Sequence, residues 1–225
     1  MHGEIMLKEQ LSGMWYDFIA GTCRLLSYAF FRLRVRGLEN MPQTGPFVIA
    51  CNHQSYLDPV FCSVCLPRRV TFLARDTLFT NWFFGRLIGS LSAIPVKRGQ
   101  GDLGAMKEII SRLKQGRGVC LFPEGTRTSD GRIAEIKPGF GLLCRRGKAT
   151  VVPTVVDGAF ECWPRGRKMF KPGKVWLTYG PPIAPEQIKE MDNQQLADEL
   201  TRRLRELQDQ MRRQRGKPAI AYDQE

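Results

Sequence analysis

Residues 52–59 read NHQSYLDP, which sets an imidazole five positions before a carboxylate, His53 and Asp58. The chain holds only two histidines, and the other, His2, stands at the N-terminus. A carboxylate bonded to one ring nitrogen fixes the tautomer and supports the imidazolium, which leaves the other nitrogen as a general base. Such a base contributes about 10²–10⁴-fold to a proton-transfer step. No G-x-S-x-G elbow is present to supply a nucleophile for a triad. No other histidine lies in the body of the chain to complete a metal site. The chemistry left for the pair is deprotonation of a substrate's own hydroxyl. A structural reading stands beside it. Ser55-x-x-Asp58 fits a capping box, and Asp58-Pro59 fits an N-cap followed by Pro at N1. On these residues alone both readings stand.

Other segments offer cations at the ends of apolar runs. In LFPEGTRT (121–128), Pro123 ends the run and Gly125 lets the backbone come close to a ligand. Arg127 there carries a planar fork suited to phosphate. Lys97 and Arg98 end the run in AIPVKRG (93–99), and Lys137 lies in IKPGFG (136–141). Each alone is an ordinary solvated charge. Together, at one edge of one sheet, they would make a phosphate pocket beside the histidine. Gly99-x-Gly101-x-x-Gly104 is a literal dinucleotide fingerprint. Lys97, Arg98 and Asp102 fit that role poorly, and a connection with Asp102 capping a helix over 103–115 explains the same residues. There is no P-loop.

These groups need a scaffold with its strand ends together. Short apolar or β-branched runs occur at 46–51, 70–74, 93–96, 118–122, 150–156 and 174–180. The intervening segments 56–66, 78–90, 102–115 and 139–146 suit helices. Continuous apolar strands alternating with helices indicate an α/β fold with a mostly parallel central sheet flanked by helices. His53 then sits at a strand's carboxyl end, where open α/β sheets place their sites. A helix is expected over 192–213, capped by Asp192, with Leu196, Leu200, Leu204, Leu207 and Met211 as its apolar stripe.

The chain of 225 residues carries 34 Lys and Arg against 22 Asp and Glu, a net +12. Such a surface favours an anionic partner: a bilayer, a phosphorylated substrate or nucleic acid. No nucleic-acid motif accompanies the charge, so nucleic acid is not expected as a partner. Seven scattered cysteines suit reduced thiols in a cytoplasmic setting. Cys62-x-x-Cys65 reads as buried small hydrophobes rather than a redox or zinc pair. Residues 11–35 are rich in aromatic and aliphatic side chains but interrupted by Asp17, Arg24 and Arg32. They fall short of the roughly 18 apolar residues of a spanning helix. They read as an N-terminal amphipathic helix or helix pair lying in a membrane interface, which the basic surface favours, or as a segment that simply packs on the domain. The expected division is a membrane-interface segment over 1–36, a catalytic domain over 37–213, and a disordered tail over 214–225.

Four blocks in order resemble the glycerolipid acyltransferase family, and they span about residues 47–160. NHQSYLDP looks like its N-H-x₄-D motif, AIPVKRG like its second block, FPEGTRT like its E-G-T-R block, and VVPTVVDG (151–158) like its proline-centred fourth. Lys97 stands where that family often has an acid and Arg75 where it often has a lysine, changes that add or keep positive charge. The resemblance implies that His53 and Asp58 are the catalytic dyad. It implies that Arg98, Glu124, Gly125, Thr126, Arg127 and Pro153 bind substrate, and Lys137 joins them on the charge argument above. The implied reaction moves a fatty acyl group from an acyl thioester to the sn-2 hydroxyl of 1-acyl-glycerol-3-phosphate, giving phosphatidate without an acyl-enzyme. The donor would be acyl-CoA or acyl carrier protein, with no metal and no bound cofactor. N–H groups of the helix after Ser55 are a candidate oxyanion donor set. Another lysophospholipid, a lyso-aminolipid or glycerol 3-phosphate is the alternative acceptor. A non-catalytic membrane-surface protein is the alternative of another class. The expected location is peripheral or monotopic, at the cytoplasmic face of a membrane and held on its anionic surface.

Overall fold

The computed structural model describes residues 2–97 and 103–222, with side chains from Gly13 onward. The strands are β1 (Arg34–Arg36), β2 (Phe47–Cys51), β3 (Val70–Arg75), β4 (Ala93–Val96), β5 (Gly118–Leu121), β6 (Thr150–Asp157) and β7 (Trp176–Tyr179). The helices are α1 (His2–Phe31), α2 (Asp58–Phe61), α3 (Trp82–Ser90), α4 (Leu103–Lys114), α5 (Gly139–Gly147), α6 (Ala159–Cys162), α7 (Pro185–Glu190) and α8 (Asn193–Gln214).

The strands form one seven-stranded sheet in the order β1-β7-β6-β2-β5-β3-β4. From β6 to β4 all neighbours are parallel. β7 runs antiparallel to β6, and β1 runs parallel to β7. The carboxyl ends of β2, β3, β4, β5 and β6 therefore share one edge. Period-two alternation divides the core. Val48, Ala50, Val119, Val151 and Val155 face Leu196, Leu200 and Leu204 of α8 with parts of α4 and α5. Phe47, Ile49, Cys51, Cys120, Val152 and Val156 face Phe31, Phe61 and Cys162 on the other side. Asp192 caps α8 as expected, its side chain accepting from Gln195 N at 2.8 Å. The Gln195 side chain accepts in return from Asp192 N at 2.8 Å.

Four expectations need correction. Residues Arg34–Arg36 belong to the sheet as edge strand β1, so the segment set aside as membrane-interface ends before them. The charged Arg-Val-Arg pattern hid it, as suits a short edge strand. The helix expected over 56–66 is the single turn α2, followed by turns. The helix expected from 78 starts at Trp82, where Asn81 caps it by accepting from Phe84 N at 2.9 Å. The tail is placed rather than disordered over 215–222. Tyr222 accepts from Ile133 N at 3.1 Å and donates to Gln208, and Arg212 Nε donates to Pro218 O at 2.8 Å. The glycine-rich connection with Gly99, Gly101 and Asp102 lies outside the described residues.

Among the described residues no helix is long and apolar enough to cross a membrane. α1 is one helix of 30 residues rather than a pair. It leaves Met14, Trp15, Phe18, Leu25, Leu26 and Phe30 exposed while Phe31 is buried. All seven cysteines are free. Cys62 is buried and its thiol touches Cys51 at 3.3 Å, while Cys65 is half-buried beside Tyr28.

Candidate active site

The site begins where β2 runs out. Asn52 continues the ladder with its side chain: Nδ2 donates to Val156 O at 3.0 Å, and Oδ1 accepts from Val156 N at 2.8 Å. That amide stands in for strand pairing and fixes the direction in which the chain leaves the sheet. Both main-chain groups of His53 are then taken by the segment after β5. His53 N donates to Glu124 Oε1 at 2.7 Å, and His53 O accepts from Thr128 N at 2.8 Å. The imidazole stacks on Phe122, with centroids 4.1 Å apart and planes 19° apart. Backbone and ring are thus both held before any substrate arrives.

Asp58 is fully buried, and one oxygen, Oδ2, makes three bonds. It accepts from Gln54 N at 2.6 Å, from Ser55 N at 2.7 Å, and meets His53 Nδ1 at 2.8 Å. The carboxylate therefore folds the turn 53–58 and orients the ring with the same atom. It places the proton on Nδ1 and leaves Nε2 with its lone pair. Nε2 has no hydrogen-bond partner among the described residues, and 13% of the side chain is exposed. The two readings of Asp58 merge here, because closing the turn and orienting the imidazole are one set of bonds. The capping box is half formed. Asp58 takes Ser55 N, but Ser55 Oγ accepts from Leu57 N at 3.2 Å and donates to Trp163 O at 2.9 Å. Of the N–H groups after Ser55 expected as oxyanion donors, that of Leu57 is occupied by Ser55 Oγ. Among the described residues no group of three or more His, Cys, Asp and Glu could hold a metal ion.

An apolar cavity of about 210 Å³ opens beside this turn. Tyr16, Ile19 and Cys23 of α1 line it together with Val60, Phe72 and Ile88. Tyr56 also lines it, and the Arg127 guanidinium lies 3.6 Å above the Tyr56 ring. One residue of the histidine motif therefore joins the apolar cavity to a cation. That arrangement suits an amphiphile with an anionic head and an apolar tail.

Residues 32–157 match the family described as acyltransferase. The chain belongs to that acyltransferase family. Among similar proteins, a 1-acyl-sn-glycerol-3-phosphate acyltransferase of Bacillus subtilis is 29% identical over 201 residues, covering 87% of this chain and 98% of that one. One from Pseudomonas aeruginosa is 32% identical over 176 residues, covering 76% and 66%. A chloroplastic relative from Arabidopsis thaliana is 29% identical over 187 residues, and the match spans only 52% of its length. The crystal structure of the 1-acyl-sn-glycerophosphate acyltransferase PlsC from Thermotoga maritima has the same fold. Its TM-score is 0.77 at 24% identity, covering 91% of this chain and 83% of that one.

In this acyltransferase the residues expected to bind substrate do not all converge. Gly125 is exposed with φ +75°, and a Cβ there would sit 3.3 Å from Lys137 Nζ. Lys137 and Gly125 are therefore neighbours, with Thr126 and Arg127 next along the same loop. Arg75 ends β3 and Lys97 follows β4 at the same sheet edge. Arg98 lies outside the described residues. Glu124 is placed differently from expectation. It is 4% exposed, and its second oxygen accepts from Ala134 N at 3.0 Å. Both oxygens thus hold backbone, so Glu124 positions His53 instead of facing an acceptor. Burial, opposed by those two N–H bonds, pushes its carboxyl up to about 7. Pro153 is buried in mid-β6 opposite Ala50, its carbonyl accepting from Gly180 N at 2.7 Å. The structure does not bring it to the dyad.

Sequence reading missed Phe122 under the imidazole, Tyr56 at the cavity and Trp163, whose ring lies 5.3 Å from that of Tyr56. The aromatic residues inside or beside the motifs were the available signal.

Proposed function

We propose that this acyltransferase transfers a fatty acyl group from an acyl thioester to the sn-2 hydroxyl of 1-acyl-glycerol-3-phosphate, yielding phosphatidate. The observation that carries the reading is the His53–Asp58 contact at 2.8 Å, with Nε2 turned away from the carboxylate, in a chain of this family. The names of the Bacillus and Pseudomonas relatives support the acceptor.

His53 Nε2 takes the proton of the acceptor hydroxyl as its oxygen attacks the thioester carbonyl carbon. Asp58, held by Gln54 N and Ser55 N, stays ionised and stabilises the imidazolium. The tetrahedral intermediate collapses, the C–S bond breaks, and the imidazolium returns the proton to the departing thiolate. No acyl-enzyme forms. The acyl chain lies in the apolar cavity behind Tyr56. Arg127 and Lys137 take the acceptor phosphate, whose charge is roughly −1.5 to −2. The exposed apolar side chains of α1 seat the enzyme peripherally on its lipid surface. The donor is acyl-CoA or acyl carrier protein, and no bound cofactor takes part.

A panel of acceptors tests the reading. Purified protein with acyl-CoA or acyl carrier protein should give phosphatidate from 1-acyl-glycerol-3-phosphate, followed by mass spectrometry. A larger kcat/KM with glycerol 3-phosphate or an uncharged lysolipid would reject the proposed acceptor.

A further inference from the structure

Beyond Trp163, the segment 163–174, Trp-Pro-Arg-Gly-Arg-Lys-Met-Phe-Lys-Pro-Gly-Lys, takes no part in the site, yet its composition departs from the rest of the chain. Five of the ten residues 165–174 are Lys or Arg and none is acidic, against 34 basic residues among 225 overall. Residues 165–172 are all exposed. Met169 at 76% and Phe170 at 42% exposure are flanked by Lys168 and Lys171. Among the described residues the side chains of Arg165, Lys168, Lys171 and Lys174 make no hydrogen bond or ion pair. Met169 and Phe170 thus form an apolar tip between cations.

The loop is held in shape from its base. Lys171 N donates to Cys162 O at 2.8 Å, and Trp163 Nε1 donates to Arg167 O at 2.9 Å. The Arg167 guanidinium donates to Glu161 O at 3.2 Å. The loop is also anchored to the end of α1. Gly173 N donates to Phe30 O at 3.1 Å, and the Phe170 ring meets Phe30 at 6.0 Å and Phe31 at 5.6 Å. The exposed apolar surface of α1 therefore continues into Phe170. Through Trp163 the same loop reaches Tyr56, at the cavity beside the dyad.

We infer that residues 165–171 form a second membrane-contact element, a preshaped loop that docks on an anionic bilayer. Met169 and Phe170 enter the interface while Arg165, Lys168 and Lys171 meet lipid phosphates. This rests on the proposed action at a lipid surface and adds to it the element that selects anionic headgroups. Two features favour a bilayer over an acidic protein. The apolar tip is as prominent as the charge, and the loop is continuous with the apolar face of α1. Little ordering is lost on docking, because the loop is already closed by its backbone bonds.

The test is partitioning of the full chain onto vesicles of phosphatidylcholine alone and of phosphatidylcholine with phosphatidylglycerol. Each basic residue at an anionic surface is worth about fivefold in partitioning, so three are worth about a hundredfold. Arg165→Gln/Lys168→Gln/Lys171→Gln should bind the anionic vesicles about a hundredfold more weakly, and the deficit should shrink at high salt. Its binding to neutral vesicles, its melting temperature and its turnover in neutral detergent micelles should match wild type. Met169→Ser should lose up to about tenfold on both vesicle types. Phe18→Ser/Leu25→Ser, which alters only α1, should weaken binding to both while keeping the anionic preference. If that α1 variant weakens binding and the triple variant partitions like wild type, the loop proposal is overturned and the membrane reading stands. If wild type ignores both vesicle types, the membrane reading itself fails and the loop proposal with it. If the triple variant binds vesicles normally but loses turnover only with an acyl carrier protein donor, the loop docks an acidic protein and the proposal is overturned.

Discussion

Replacing Asp58 by Asn separates its two duties by size. One oxygen of Asp58 serves Gln54 N, Ser55 N and His53 Nδ1, and the other, Oδ1, is buried with no hydrogen-bond partner among the described residues. An Asn that keeps its oxygen at Oδ2 retains neutral versions of those bonds. It also buries an amide NH₂ where Oδ1 lay. Weakening two charge-assisted backbone bonds costs about 1 kcal/mol each, and the orphaned donor costs about 1–3 kcal/mol. The sum is about 3–5 kcal/mol, which lowers the melting temperature of a chain this size by about 10 °C. Activity should fall further than stability requires, because the imidazolium loses its counter-charge. We expect kcat to drop about 10²–10⁴-fold at a temperature where the variant is fully folded. Calorimetry gives the first quantity and thiol release from acyl-CoA gives the second. The cycle with His53→Ala is the sharper check. Asp58 acts on catalysis through His53, so Asp58→Asn should cost almost nothing further in a His53→Ala background. A full 10²-fold additional loss in that background, or a single variant within twofold of wild-type kcat, would refute the reasoning.

Three further outcomes follow from the same geometry. Glu124 has its carboxyl raised from 4.5 to about 7 by burial, so the folded protein keeps a proton that the unfolded chain releases between those values. Its contribution to stability therefore falls as pH rises through that window and is constant above it, by about 3 kcal/mol at 1.36 kcal/mol per pH unit. Urea unfolding from pH 4.5 to 8 should show that slope in wild type and lose it in Glu124→Gln. Gly125→Ala imposes a side chain at φ +75° and sets a Cβ 3.3 Å from Lys137 Nζ. It should cost about 1–2 kcal/mol of stability by urea unfolding and raise KM for the acceptor more than it lowers kcat. Val60→Phe narrows the apolar cavity, so steady-state kinetics across a series of acyl-CoA lengths should show long chains losing more kcat/KM than short ones.

The central strands could be read from sequence because both faces of the sheet are covered. Phe47–Cys51 and Thr150–Asp157 are almost wholly buried and so appear as continuous apolar runs. Arg34–Arg36 carries no such run, since an edge strand pairs through backbone on one side only. His53 and Asp58 were legible because the chain has so few histidines and their spacing is short. The extent of α2 was not, because Asp58 spends its carboxylate on the turn before the helix instead of on a longer helix. Glu124 was legible as part of a motif but not in its job. A carboxylate that binds two backbone N–H groups leaves no partner side chain in the sequence to betray it. Tyr222 was lost for a similar reason: it accepts from Ile133 N, 89 residues away in the chain.

The most direct measurement is lysophosphatidate-dependent thiol release from acyl-CoA in mixed micelles, for wild type and His53→Ala at matched folded concentration. The expected result is release by wild type that depends on lysophosphatidate and falls at least about 10²-fold in the variant. Equal release by the two proteins would contradict the general-base role of His53 and leave it a residue that only shapes the turn after β2.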